Sequence, residues 1–241
     1  MRAAVRRAPT RTPQAGVAMA EFLIGFPPFF LLLLAVIQLA LASGARLLVG
    51  AAAFSAARAA VVVIPTSTRA ADGRDEPPNQ IGDGADVPAD FAGSSKLRQI
   101  RDAAIYVLLP AAPDLSNGAA AAWAPRSLQS ALDAEATDAL TRVSRKIAGA
   151  ELLTGVTLHD ASGRLRSRFA WNDEVTARVF FLVPCRVPLV VWLAGRRPGE
   201  LGLRPEELQA AGLDASAVAA LPGRFMLLRA EHTMVNQGRP R

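Results

Sequence analysis

Gly16-Val17-Ala18-Met19-Ala20-Glu21-Phe22 opens a stretch that then runs without a single charge to Ala45. As a helix, the 24 residues from Phe22 to Ala45 would span ~36 Å, more than the ~30 Å of a bilayer's hydrocarbon core. Four arginines (Arg2, Arg6, Arg7 and Arg11) precede this stretch, and no acid does. Glu21 is thus a lone carboxylate at the mouth of a membrane-length helix. An ionisable group near hydrocarbon is costly to place, which marks Glu21 as a functional candidate waiting for a partner.

The formal charge of +6 and the pI near 10.8 would ordinarily raise nucleic-acid binding as a function. The distribution of the charge argues against it. Residues 1–16 carry four of the bases, leaving 23 bases against 21 acids in the remainder. Arginine ahead of a membrane span keeps that end cytoplasmic, so the basicity reads as a topological signal, and nucleic acid is not an expected partner. One cysteine, Cys185, excludes an intrachain disulfide framework, and a packed core must hold the domain together. Set in Val-Pro-Cys-Arg-Val-Pro, Cys185 reads as a small buried or half-buried side chain.

A secretory signal has a shorter apolar region, ~7–15 residues, and a small-x-small cleavage site. Ala40-Leu41-Ala42 could supply such a site, giving a secreted protein that begins at Ser43. The length of the apolar run and the interrupting Glu21 favour a retained single-pass anchor. Pro27 and Pro28 each remove a helical hydrogen bond, which predicts a bend or weak point near Gly25–Pro28. From Arg46 to Ile64 alanine dominates, favouring helix until Pro65 ends it. Arg46, Gly50 and Arg58 share one narrow stripe of this half. A helix apolar on most sides must be covered on most sides, so it should pack on the chain's own domain and on neighbouring helices.

Beyond it, residues 65–95 form an acidic stretch with Pro77-Pro78 and six acids (Asp72, Asp75, Glu76, Asp83, Asp86, Asp90), expected to be a solvated, flexible loop. No calcium-loop register is present. Helical spacing of Leu97, Ile100, Ala104, Val107 and Leu108 predicts a helix over 95–109, stopped by Pro110. Residues 111–125 read as a loop. A second helix is expected from about Arg126 to Ala148, with Gly149 near its end. The period then changes. Thr154–Asp160 alternates as a half-buried strand, Gly163 marks a turn, and Arg164–Trp171 is compatible with another strand. Glu174–Val183 has strong strand composition. Prolines and Arg186 break the apolar run 180–194, so a second span is not expected. Arg204–Leu221 reads as two short helical turns, the second capped by Asp214 or Ser216, and 223–236 as a strand antiparallel to 173–183. The fold class is α+β: a long N-terminal helix, then a small domain of helices and an antiparallel sheet.

Catalysis finds little support. His159, before a glycine turn, reads as exposed, and His232, beside Glu231, as part of a solvent face. Neither has a ligand partner at metal-site spacing. Nothing in the sequence brings Cys185 to either histidine as a nucleophile couple, and no phosphate loop, dinucleotide fingerprint or nucleophile elbow occurs. No catalytic residue, metal ligand or cofactor is assigned.

Gly16, four intervening residues and Glu21-Phe22 ahead of a long apolar helix resemble the processing motif of type IV pilin-like proteins. The details resemble TadE-like minor pseudopilins of tight-adherence (Flp) pilus systems. Ala56-Ala57-Arg58-Ala59-Ala60 late in the helix adds to the likeness, as does Arg229-Ala230-Glu231-His232-Thr233-Met234-Val235-Asn236-Gln237. The resemblance covers 14–64 well and the last dozen residues weakly. It implies a basic cytoplasmic leader (1–16) removed by a prepilin peptidase after Gly16, so that Val17 becomes the new N-terminus. Together with the composition read above, the expected organisation is a helix over 17–64 that is transmembrane at about 22–45, the acidic loop 65–95, and an extracytoplasmic domain over 96–241. Glu21, then the fifth residue, would pair with the freed amine on a Val17 of an adjacent subunit, since pairing offsets part of each partner's desolvation. Implied partners are the peptidase, other pilin-like subunits, the pilus assembly platform and inner-membrane lipid. The competing reading is an uncleaved single-pass envelope protein whose outer domain binds a partner.

Overall fold

The computed structural model describes residues 14–69, 75–82, 94–113, 138–185, 195–211, 213, 218–219, 221 and 223–237. Helix α1 is one unbroken rod of 50 residues, Gln14–Val63, or ~75 Å at helical rise. It runs through Pro27 and Pro28 without interruption, so the expected weak point does not break it. The two prolines remove bonds only to the carbonyls of Leu23 and Ile24, and intact turns on either side continue the helix.

The rest of the chain builds a sheet against the far half of α1. Strands β3 (Thr154–His159), β4 (Glu174–Pro184) and β5 (Phe225–Val235) form an antiparallel sheet in the order β3-β4-β5. All eleven residues of β4 pair with β5, from Glu174 opposite Val235 to Pro184 opposite Phe225. Helix α1 lies over β4 and β5, and α2 (Ser95–Leu108) lies beside it. One core joins Val49, Ala53 and Ala57 of α1, and Ile64 just past its end, to Leu97, Ile100 and Leu108 of α2 and to Val175, Val179 and Phe181 of β4. Alanines at the α1 contact let helix and sheet backbones approach closely, where larger side chains would hold them apart.

Following a 3₁₀ turn at Pro198–Glu200, a short helix α4, Pro205–Ala210, packs on β3. That cover explains why β3 is buried along its whole length rather than alternating. Gly155 lies directly opposite Phe180. A Cβ on Gly155 would fall 1.9 Å from the Phe180 ring, so only glycine lets the ring lie across its neighbour strand.

Several local expectations change. Helix α3 (Asp138–Leu153) continues past Gly149 into β3, because Gly149 is buried and tolerated inside the helix. Residues 126–137 of the expected second helix, and Asp214 and Ser216, lie outside the described residues. Arg164–Trp171 forms no strand; it makes only single bridges, Leu165 to His159 and Arg168 to Gln80. Gly163, at φ +75°, closes the turn before it.

The acidic stretch contains the largest surprise. Asp72, Asp83, Asp86 and Asp90 lie outside the described residues, but Asp75–Glu76 (β2) pairs with Thr68–Arg69 (β1), and Glu76 is buried. Its carboxylate caps the start of α2. It accepts from the Ser94 hydroxyl at 2.8 Å and from the backbone N–H groups of Ser95 and Lys96. A negative charge at a helix N-terminus satisfies orphan donors and complements the dipole.

Lys96 is fully buried beside it. Its ammonium donates to the carbonyls of Ile64 (3.1 Å), Pro77 (2.6 Å) and Gln80 (2.8 Å). Burial pushes this lysine down to about 8, with the Glu76 carboxylate acting in the opposite direction. The residue therefore binds the exit of α1, the 75–82 segment and the start of α2 into one unit. Lys96→Met should cost roughly 3 kcal/mol, since three hydrogen bonds are lost at once and, among the described residues, only the Ile64 carbonyl keeps another donor, the Asn79 N–H. Thermal unfolding of the variant beside the parent chain checks this.

A second buried charge couples α2 to α3. The Arg101 guanidinium donates to the Glu151 backbone carbonyl, and burial raises the Glu151 carboxyl to about 7, with Arg101 opposing. Because the folded state binds this proton more tightly than the unfolded chain, the group's contribution is fully present below about pH 4.5. It is lost as pH rises through 7. The whole shift corresponds to about 3 kcal/mol, and water around a partly open side chain reduces that to roughly 1–2 kcal/mol. Glu151→Gln should therefore gain about this much at pH 8 and nothing at pH 4, read from urea unfolding midpoints at the two pH values.

Candidate functional site

Two halves of α1 meet opposite environments. From Met19 to Leu41 every large apolar side chain is exposed except Leu34, which is partly covered. Phe22, Leu23, Ile24, Phe29, Leu32 and Leu39 are each more than 60% exposed, and they point to all sides of the rod. Such a surface requires lipid or other helices around it. By length and composition the helix segment Met19–Val63 could cross a membrane. Along one edge Phe22, Phe26 and Phe30 stack at i, i+4 spacing, with centroids 5.1 and 5.6 Å apart. This ladder stiffens one edge of the projecting half.

Gln38 is where the helix meets the domain. It is buried, with Nε2 3.9 Å from the Met226 sulfur on β5. Ala42, Ala45, Val49, Ala52, Ala53, Ala56, Ala57, Ala60 and Ile64 then follow as a buried stripe at three- and four-residue steps. The expected packing of this half on the chain's own domain is what the structure has.

The four motif residues fall at the opposite end. Gly16 and Val17 lie within the first turns of α1, which begins at Gln14. Glu21 follows one turn later, exposed, and among the described residues no basic group pairs with it. Phe22 is 63% exposed and begins the aromatic ladder. These residues are thus brought onto one projecting helix end, far from the sheet. The i, i+4 phenylalanines were visible as spacing in the sequence, whereas Gln38, an uncharged polar residue within an apolar run, gave no signal of its role.

The histidines and the cysteine are not brought together. His159 is buried rather than exposed. Its ring sits between the Thr157 hydroxyl at 2.9 Å and the Gly163 carbonyl at 3.0 Å. Nδ1 donates to the carbonyl and Nε2 accepts from the hydroxyl, and burial lowers its pKa, so the imidazole is neutral and structural. His232 faces α1 and meets Phe54 edge-on at 5.0 Å, which gives it a packing role in place of a solvent face. Cys185, half-buried as expected, lies just past the end of β4 remote from His159. Among the described residues no three His, Cys, Asp or Glu side chains gather as a metal site.

No curated protein and no solved structure matches the chain. The family model described as TadE-like protein matches residues 16–58, which is α1 from the motif glycine to its last arginine and leaves the sheet domain beyond it. The chain therefore carries a TadE-like N-terminal segment, the resemblance first read from Gly16, Glu21 and Phe22.

Proposed function

We propose that this chain is a minor pilin-like subunit of a tight-adherence (Flp) pilus, held in the inner membrane by α1 and processed by a prepilin peptidase after Gly16. The observation that carries the reading is the bare half of α1, apolar on every side and bearing one carboxylate, Glu21, within the TadE-like match. In this reading the arginines of residues 1–16 hold the leader in the cytoplasm, and the sheet domain lies on the other side of the bilayer. Cleavage frees the Val17 amine. Glu21, four residues later, then pairs with such an amine on an adjacent subunit while the phenylalanine ladder packs against neighbouring helices. The pair forms where the dielectric is low and neither charge is cheap to leave alone. Partners are the peptidase, other pilin-like subunits, the assembly platform and membrane lipid. The chemistry is structural, and no catalytic role is assigned.

One observation favours the alternative of an uncleaved anchor: α1 begins at Gln14 and already includes Gly16 and Val17, whereas a peptidase acts on backbone it can draw out of a helix. Intact mass separates the two. Co-expressed with a prepilin peptidase, the chain should lose residues 1–16 and begin at Val17, and Gly16→Trp should block the loss by filling the space glycine leaves for the protease. An unchanged mass for the unaltered chain would leave the plain anchor. Glu21→Ala should insert in the membrane normally but reduce incorporation into the assembly at least tenfold, as expected for losing a low-dielectric charge pair. Quantitative blotting of sheared filaments against membranes reads this directly, and equal incorporation would exclude the pairing.

A further inference from the structure

Where α1 leaves the domain, an open cleft of about 610 Å³ runs between the helix and β5. Ser43, Arg46, Leu47 and Gly50 of α1 line one side, and Arg229 and Glu231 of β5 line the other. We propose that this cleft binds the headgroup of an anionic phospholipid, with Arg46 as the principal phosphate contact. The inference rests on the membrane reading of α1.

Position is the first argument. Arg46 is the first charge after Glu21, 25 residues on, or ~37 Å along the helix. The domain covers α1 from Gln38 onward, so the part in hydrocarbon ends near Ile37. Arg46, ~13 Å further along the helix, reaches back with a long side chain to the headgroup layer, where arginine meets lipid phosphate. Charge is the second. Glu231 is already held by Arg178, whose Nε and Nη2 donate at 3.1 and 3.0 Å. Arg229 reaches Glu207 only at 3.4 Å and is 42% exposed. Arg46 has no ionic partner among the described residues, so the cleft holds one cation more than its carboxylates neutralise. A guanidinium presents paired donors that fit two phosphate oxygens, and the Ser43 hydroxyl can add a third. Shape is the last argument. Nothing lies within 4 Å of where a Gly50 Cβ would sit, which leaves the middle of the cleft open. Leu47, 77% exposed beside it, offers an apolar wall to the glycerol and upper acyl region.

The test uses the full chain reconstituted in vesicles of phosphatidylcholine, alone or mixed with phosphatidylglycerol, then examined by native mass spectrometry for retained lipid. Phosphatidylglycerol should be enriched over its bulk proportion, and Arg46→Gln should reduce the enrichment roughly fivefold. Gly50→Leu, which keeps both arginines and fills the cleft, should do the same. Arg168→Gln, an exposed arginine elsewhere, should leave it unchanged. Absence of enrichment in the unaltered chain overturns the assignment, as does enrichment that survives both cleft variants. Displacement of the lipid by excess inorganic phosphate also overturns it, because the cleft would then read free phosphate. Flotation with pure phosphatidylcholine vesicles separates this inference from its premise. A chain that floats without preferring phosphatidylglycerol refutes the headgroup site alone, and one that fails to float refutes both.

Discussion

Everything in this molecule is arranged around one helix whose surface is apolar nearly all round. Water cannot be its neighbour on most sides, so each part of its length needs another cover. From Gln38 onward the chain supplies that cover itself, with β4, β5 and α2 closing over a stripe dominated by alanine. Small side chains at that contact make the helix and the sheet one packed body. Before Gln38 the chain supplies nothing, and the same physical demand is passed to lipid or to other helices. Anchor and domain are two answers to a single requirement.

The far end of α1 is held to the domain by charges as well as by the apolar core. Glu76 closes the start of α2, and Lys96 gathers the carbonyls of Ile64, Pro77 and Gln80 around one buried ammonium. The carbonyl of Ile64 belongs to the end of α1, so the helix is fixed where its regular hydrogen bonding stops. At the other end of β5, buried Asn236 donates to the carbonyl of Ala170 at 2.9 Å and to the Asn79 side chain at 3.2 Å. The 75–82 segment is thereby tied to α1, α2 and the sheet at once. Its acidic, proline-containing composition conceals this.

The sequence made visible what depends on local periodicity. The long helix, α2 between Ser94 and Pro110, the strands around 154, 174 and 225, and their antiparallel relation all follow from spacing, β-branched content and breakers. What stayed hidden depends on distant covers. His159 looks exposed beside a glycine turn, and only the elements packed on the second face of the sheet bury it. Glu76 looks solvated because nothing within its own stretch announces that α2 starts against it. The motif at Gly16–Phe22 was legible for the opposite reason: it is a chemical pattern on a projecting end, and no folding is needed to assemble it. The cleft residues Arg46 and Arg229 lie 183 positions apart, and only the docking of α1 along β5 makes them neighbours.

The continuity of α1 through Pro27 and Pro28 has a mechanical side. A rod clamped at Ile64 and unbroken to Gln14 acts as a lever, with the sheet domain as its handle. Because the helix is continuous from one end to the other, the direction in which that domain faces follows from how the bilayer, or a surrounding bundle, orients the shaft.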